Sequence, residues 1–241
     1  MPASEPGPPS RLARSRPVLI PWEQLANAAI PGGGELRLMR RGDELSIMSG
    51  AIELMNSRLS GSEVQLAQLT LARLGDRSEL RLLIGGLGMG FTLRAALAGT
   101  RPDAVLTVAE LVPAVVDWAR GLMSGLFEGC LGDPRVDVRI GDVADLIAAR
   151  PAAFDAILLD VDNGPGGLNR AENDHLYTTA GLAAAKRALR PAGLLAVWSA
   201  SPDEWFVRRL RSCGFAVEEH RVRASQRGRG ARHIIWLAQA S

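Results

Sequence analysis

An apolar run that breaks into four glycines within six residues constrains this chain more than any other feature. Arg81-Leu82-Leu83-Ile84 passes into Gly85-Gly86-Leu87-Gly88-Met89-Gly90 and then into Phe91-Thr92-Leu93-Arg94. The pattern predicts a buried strand, a tight turn and a helix, because glycine lets the backbone bend at positive φ and come close to a ligand. A second apolar run, Val105-Leu106-Thr107-Val108-Ala109, ends in Glu110. In a βαβ unit of this spacing the carboxylate at the tip of the second strand lies beside the turn that follows the first. There it can accept hydrogen bonds from both hydroxyls of a ribose. Gly85, Gly86, Gly88, Gly90 and Glu110 are therefore candidate contacts for a nucleoside-containing ligand.

A chain of 241 residues with 47% hydrophobic content supports one α/β core and a small appendage. The formal net charge of +2 gives no general case for nucleic-acid binding, and Lys186 is the sole lysine. Cys130 and Cys213 lie far apart without metal-type spacing, so neither a metal site nor a disulfide framework is expected, and a reducing cytoplasm is the expected setting. No apolar run approaches the roughly 20 residues of a membrane span, and the first residues lack the apolar stretch of a secretory signal.

Residues 1–17 are proline-rich and polar, with Arg11, Arg14 and Arg16, and read as a disordered tail. Residues 18–60 read as a small β region. Its hairpin spans Leu36 to Leu54 with the turn at Gly42-Asp43. Residues 61–241 read as the ligand-binding domain, opened by a helix from Ser62 to Leu74 with Ser60 or Ser62 as its cap. Strands are expected at 81–84, 105–109, 136–140, 156–160 and 194–199, with helices at 92–98, 113–126, 143–149, 178–189 and 202–212. Segments 215–223 and 233–238 would close the sheet as an antiparallel pair. That final pair, and the lack of a second glycine turn, predict a seven-stranded Rossmann-like methyltransferase sheet and argue against a dinucleotide.

Two further acidic clusters fall after predicted strands, at Gly141-Asp142-Val143 and at Asp160-Val161-Asp162-Asn163. Open α/β sheets bind ligands at that edge. Asp142 suits either an adenine amino group or the cap of the helix that starts at Val143. Asp160 ends a strongly apolar strand and suits the reactive end of the ligand, while Asp162 and the glycines after it suit a turn equally well. His175 titrates near neutrality and is a candidate base, with a surface position near a helix start as the plainer reading. His220 and His233, on the terminal pair, read as structural or exposed. The arginines from Arg221 to Arg232 read as a solvated basic tip without the aromatic residues that stack nucleobases.

At these residues the chain resembles the spermidine synthase family, polyamine aminopropyltransferases built on the class I S-adenosylmethionine-binding fold. The resemblance runs from about Leu45 to Leu195. Ser49 to Leu54 is similar to "DGxxQL", Ile84 to Gly90 to the glycine loop, Val108-Ala109-Glu110 to "VEID" and Asp133 to Val136 to "DPRV". Gly141-Asp142 is similar to the family's "GD" and Lys186 to Gly193 to "KRALKPGG".

The resemblance implies that Glu110 holds the ribose and Asp142 the adenine of S-adenosylmethionine or its decarboxylated form, without a metal, in a homodimer acting on a small acceptor. The acceptor half departs from the family. Gly88 or Met89 stands where the glycine loop carries an aspartate, Asn163 replaces the second aspartate of "DSSDP", Val64-Gln65-Leu66 replaces "YQE", and Leu182 replaces a tyrosine. A polyamine site needs several carboxylates. These losses favour methyl transfer to a small acceptor, with Asp160 beside the donor group and Asp162 or His175 as base. Aminopropyl transfer to putrescine or another amine is the first alternative, and a non-catalytic nucleoside-binding protein the second.

Overall fold

The computed structural model describes residues 20–161, 164–165, 174–225 and 230–240. The expected tail at 1–17, Asp162, Asn163 and much of the loop before His175 lie outside the described residues, as does part of the arginine-rich tip.

The chain opens with an antiparallel sheet of four strands in sequential order, β1 (Glu23–Ala29), β2 (Glu35–Arg41), β3 (Glu44–Ser49) and β4 (Ile52–Asn56). The expected hairpin is its centre: Gly42-Asp43 joins β2 to β3, and Leu38 faces Ile47 across the ladder. Strand β1 was not expected. Its sequence, EQLANAA, is a weak strand former, and it is held by pairing along β2 and by the Arg40–Glu23 ion pair. The inner face, with Leu36, Leu38, Leu45 and Ile47, packs into the same core as the large domain.

Helix α1 (Gly61–Leu74) leads into the large sheet. Ser60 occupies the cap position without a side-chain cap bond. The alternation then runs β5 (Arg81–Gly85), α2 (Phe91–Gly99), β6 (Val105–Glu110), α3 (Pro113–Arg120), α4 (Ser124–Phe127), β7 (Val136–Ile140), α5 (Val143–Ala149) and β8 (Phe154–Leu159). It continues with α6 (Asp174–Tyr177), α7 (Thr179–Ala188), β9 (Leu189–Ser199), α8 (Glu204–Ser212), β10 (Phe215–Arg223) and β11 (Arg232–Ala240). The helix expected over 113–126 is broken at Gly121, whose N–H turns back onto Asp117 O and Trp118 O.

The seven strands lie in the order β10-β11-β9-β8-β5-β6-β7, with β5 to β9 parallel and β11 antiparallel to both neighbours. Central strands β5 and β8 are covered on both faces, which is why they read as continuous apolar runs. Helices α1, α2 and α3 bury Leu66, Leu93 and Val116 on one face, and α5, α7 and α8 bury Ile147, Leu182 and Phe206 on the other. The edge strand β10 carries Glu218, Glu219, Arg221 and Arg223, charges that discourage pairing with another sheet. Because β5 is followed by β6 on one side and flanked by β8 on the other, the loops leaving β5 and β8 diverge and open a crevice. Among the described residues no helix is long and apolar enough to cross a membrane.

The turn after β5 depends on Gly90, which caps α2 at φ 78°. A Cβ there would lie 2.5 Å from the buried Phe127 ring, whereas Gly129, at φ 80°, has nothing within 4 Å. Gly90→Ala should therefore destabilise the protein by about 2–5 kcal/mol, through left-handed strain and overpacking together. Gly129→Ala should lose only about 1–2 kcal/mol from strain alone. Equilibrium urea unfolding of the two variants measures the difference, and equal losses would contradict the packing argument.

Candidate active site

Three strand ends are fixed to one another at the crevice. Gly86 N–H donates to Ala109 O at 2.9 Å and Asp160 N–H to Gly85 O at 3.0 Å. A Cβ on Gly86 would sit 2.4 Å from the carbonyl oxygen of Asp160, so only glycine permits this approach. Gly85 itself lies against Val143 and Leu159 and shapes the turn from below.

Glu110 ends β6 and is 7% exposed. Its Oε2 accepts from Leu87 N–H at 3.0 Å and its Oε1 from Val112 N–H at 2.8 Å. The acid thus ties the glycine turn to the next loop, with the backbone N–H groups of Gly88 and Leu111 also directed at it. Burial pushes its carboxyl above the usual range, and the backbone N–H groups of Val112 and Leu87 oppose that push. Asp142 caps α5, accepting from Ala144 N–H at 2.8 Å through Oδ1. The cap occupies one oxygen only, so both readings of Asp142 are compatible. Gly86, Gly88, Glu110 and Asp142 line a cavity of 120 Å³, which Leu54 and Met55 of β4 help to close.

A second, narrower chamber of 70 Å³ shares Leu54, Met55, Gly88 and Asp160 with the first. Its other walls include Glu63 from the first turn of α1, Met89, Gly90 and Trp198 from β9. Thr92 of α2 donates to Asp160 Oδ2 at 2.6 Å. Protein surrounds the Asp160 carboxyl and lifts it to about 7, chiefly by burial and then by the charge of Glu63, with Thr92 opposing. Glu63 is also raised by burial, and donors from Ser62 and from the backbone of Glu63 and Ser62 offset part of the rise. Two carboxyls that penalise one another's charge beside a cavity are a ready partner for a cation. The buried indole N–H of Trp198 has no partner among the described residues.

The structure therefore gathers Gly86, Gly88, Gly90, Glu110, Asp142 and Asp160 around two adjoining cavities. His175 is placed elsewhere: on α6 its Nε2 lies 3.5 Å from Asp142 Oδ2, and it is not among the described residues lining the chamber of Glu63 and Asp160. Asp162 lies outside the described residues. Glu63, Thr92 and Trp198 were not singled out in the sequence. An acid in the first turn of a helix reads simply as a complement to the helix dipole, and nothing local to Glu63 says that it faces Asp160.

With this geometry in view, relatives can be compared. The polyamine aminopropyltransferase of Mycobacterium tuberculosis is 32% identical over 200 residues, 78% of this chain and 36% of that protein. The spermine synthase of Arabidopsis thaliana is 28% identical over 151 residues, 62% of this chain and 39% of that protein. In sequence the chain resembles the polyamine aminopropyltransferases. It spans little more than a third of the length of the curated relatives it matches. No family model matches it. Among solved structures, a spermidine synthase bound to the transition-state analogue AdoDATO superposes with a TM-score of 0.70 at 17% identity, covering 96% of this chain and 82% of that one. The Thermotoga maritima spermidine synthase gives 0.68 at 17% identity, over 96% and 83%. The chain has the spermidine synthase fold, a seven-stranded sheet with a small N-terminal antiparallel sheet.

The raised carboxyl of Asp160 has a thermodynamic signature. Between the ordinary aspartate value of 3.8 and about 7, the folded protein keeps a proton that the unfolded chain has released. Its stability therefore falls as pH rises through that window. Asp160→Asn, which cannot ionise, should gain about 5–10 °C in melting temperature relative to the parent between pH 5 and pH 8. A difference that does not change between the two pH values would remove the raised carboxyl from the account.

Proposed function

We propose that the chain is an aminopropyltransferase, moving an aminopropyl group from decarboxylated S-adenosylmethionine to an amine such as putrescine. The observation that carries this reading is the carboxyl pair Glu63 and Asp160 in the narrow chamber beside the glycine turn. No basic side chain is present among the described residues lining either cavity. A donor that retained its carboxylate would bring a negative charge into a site that already holds Glu63, Glu110, Asp142 and Asp160. The decarboxylated donor and a polyamine bring positive charge alone, so complementarity favours them. The names of the sequence relatives point the same way.

The sequence favoured methyl transfer because the family's carboxylates are missing at Gly88 or Met89 and at Asn163. Glu63 answers part of that argument by supplying an acid to the chamber from a different element, α1.

The residues present fit such a donor. Gly86 and Gly88 leave room where a Cβ would stand, Glu110 would accept from the ribose hydroxyls beside its backbone donors, and Asp142 would offer Oδ2, 3.5 Å from His175 Nε2, to an adenine amino group. When bound, the donor supplies an electrophilic carbon attached to a sulfonium leaving group. Glu63 would anchor the ammonium of the acceptor. Asp160, poised near neutrality, would take the proton released from the attacking nitrogen, with Thr92 fixing one of its oxygens. Leu54, Met55 and Trp198 would exclude water and hold the acceptor in line with the donor carbon.

Calorimetry with the two donors, followed by mass spectrometry of products formed with putrescine, tests the reading. The decarboxylated donor should bind at least about tenfold more tightly and yield an aminopropylated amine. A methylated product formed from S-adenosylmethionine would establish methyl transfer instead. Donor binding without a product from either donor would leave a nucleoside-binding protein.

Glu110→Gln should weaken donor binding about 10- to 100-fold, the loss expected for charged hydrogen bonds to ribose. The melting temperature should fall by about 2–10 °C, because the amide oxygen accepts one backbone N–H and the amide NH2 is left facing another. Isothermal titration with the parent as control checks this, and unchanged affinity would refute the ribose assignment.

A further inference from the structure

The acid pair of the narrow chamber is asymmetric. Among the described residues Asp160 receives one side-chain hydrogen bond, from Thr92. Glu63 receives one from its neighbour Ser62, whose Oγ donates to Oε2 at 2.7 Å. Ser62 is fully buried, and His233 Nδ1 lies 2.8 Å from the same hydroxyl oxygen. A serine hydroxyl has one proton, so a Ser62 that donates to Glu63 can only accept from His233. The ring of His233 is held in turn by Trp198, edge to face at a centroid distance of 4.7 Å and an angle of 71°. Trp198 also lines the chamber, so the ring that orients the relay and the cavity it serves share one wall.

We infer that His233 and Ser62 are positioning residues for amine recognition. The Nδ1–H of His233 donates to Ser62, the hydroxyl of Ser62 donates to Glu63, and this chain holds Glu63 as the ionised member of the pair, aligned to receive the ammonium of the acceptor. Asp160, lacking such a chain, is left as the member that exchanges a proton.

The inference rests on the transferase reading for its consequence and on geometry alone for its existence. The six residues come from five parts of the fold: Glu63 and Ser62 from α1, Asp160 after β8, Thr92 from α2, Trp198 from β9 and His233 from β11. Burial holds the imidazole of His233 below its ordinary value, so the ring is neutral near pH 7.5 and its tautomer is a defined quantity. The relay requires the proton on Nδ1. A relay running the other way, from a protonated Glu63 through Ser62 to His233, requires it on Nε2.

Two measurements decide the matter. Nitrogen-15 NMR of the parent protein with labelled histidine, assigned with His233→Asn, should show the Nδ1–H tautomer at pH 7.5. The Nε2–H tautomer would overturn the inference whether or not the protein turns over any substrate. Calorimetry with putrescine should show affinity reduced about tenfold in His233→Phe, which keeps an aromatic ring and loses the donor, and similarly in Ser62→Ala. His233→Asn, whose amide N–H mimics Nδ1–H, should recover most of that loss, and combining Ser62→Ala with His233→Phe should weaken binding no further than Ser62→Ala alone. In turnover the loss should fall on the KM for amine more than on kcat. Unchanged putrescine affinity in a folded His233→Phe would overturn the inference, and if that variant does not fold the tautomer of the parent remains decisive. Detection of the Nδ1–H tautomer in a parent that binds no amine would uphold the relay and sink the transferase reading.

Discussion

The contact between Gly86 and the carbonyl of Asp160 is the constraint from which the site follows. It brings the loops leaving β5 and β8 to van der Waals distance where the strand order would otherwise let them diverge freely. Once the backbone is pinned there, the side chain of Asp160 stands beside the turn, Thr92 can reach its carboxyl, and Gly88 lies under Met55 of the N-terminal sheet. Glu110 completes the frame by joining the turn to the end of β6 with two hydrogen bonds. The crevice is thus held open by backbone geometry, and its side chains are free to serve chemistry.

Electrostatics then divides the crevice. On the β6 side, each acid is committed through part of its hydrogen-bonding capacity to the backbone: Glu110 to Leu87 and Val112, Asp142 to Ala144. Such acids are rigid acceptors. On the β8 side, Glu63 and Asp160 share one small chamber, and burial together with the charge of Glu63 raises the Asp160 carboxyl, an imbalance that a bound cation relieves. An arrangement of this kind destabilises the empty protein in order to bind well, as functional sites commonly do.

Much of this was legible in the sequence, and the reason is locality. The central strands announce themselves as unbroken apolar runs because they are covered on both faces, and the glycine turn with its acidic tip belongs to a single βαβ unit. Asp142 and Asp160 were found because the ends of parallel strands share one edge of the sheet. Strand β1 was missed because its alanine-rich sequence has little strand preference, and pairing alone makes it a strand. The narrow chamber was missed for a different reason. Glu63, Thr92, Trp198 and His233 come from four elements, and Ser62 and His233 are 171 positions apart. No spacing rule joins them, and the carboxylates absent from the family's positions turned the sequence reading toward methyl transfer.

The place of β11 has a consequence for how the protein comes into being. It lies between β9 and β10, both of which precede it in the chain, and β10 pairs with no other strand. As the polypeptide leaves the ribosome, β5, β6 and β8 can assemble and the crevice at their ends can form while β10 still waits for its neighbour. Only when β11 has paired with β9 can β10 join the sheet, and the same pairing brings His233 to α1. Until β11 has paired, Ser62 of α1 lacks the imidazole of His233 that lies 2.8 Å from its hydroxyl in the folded protein.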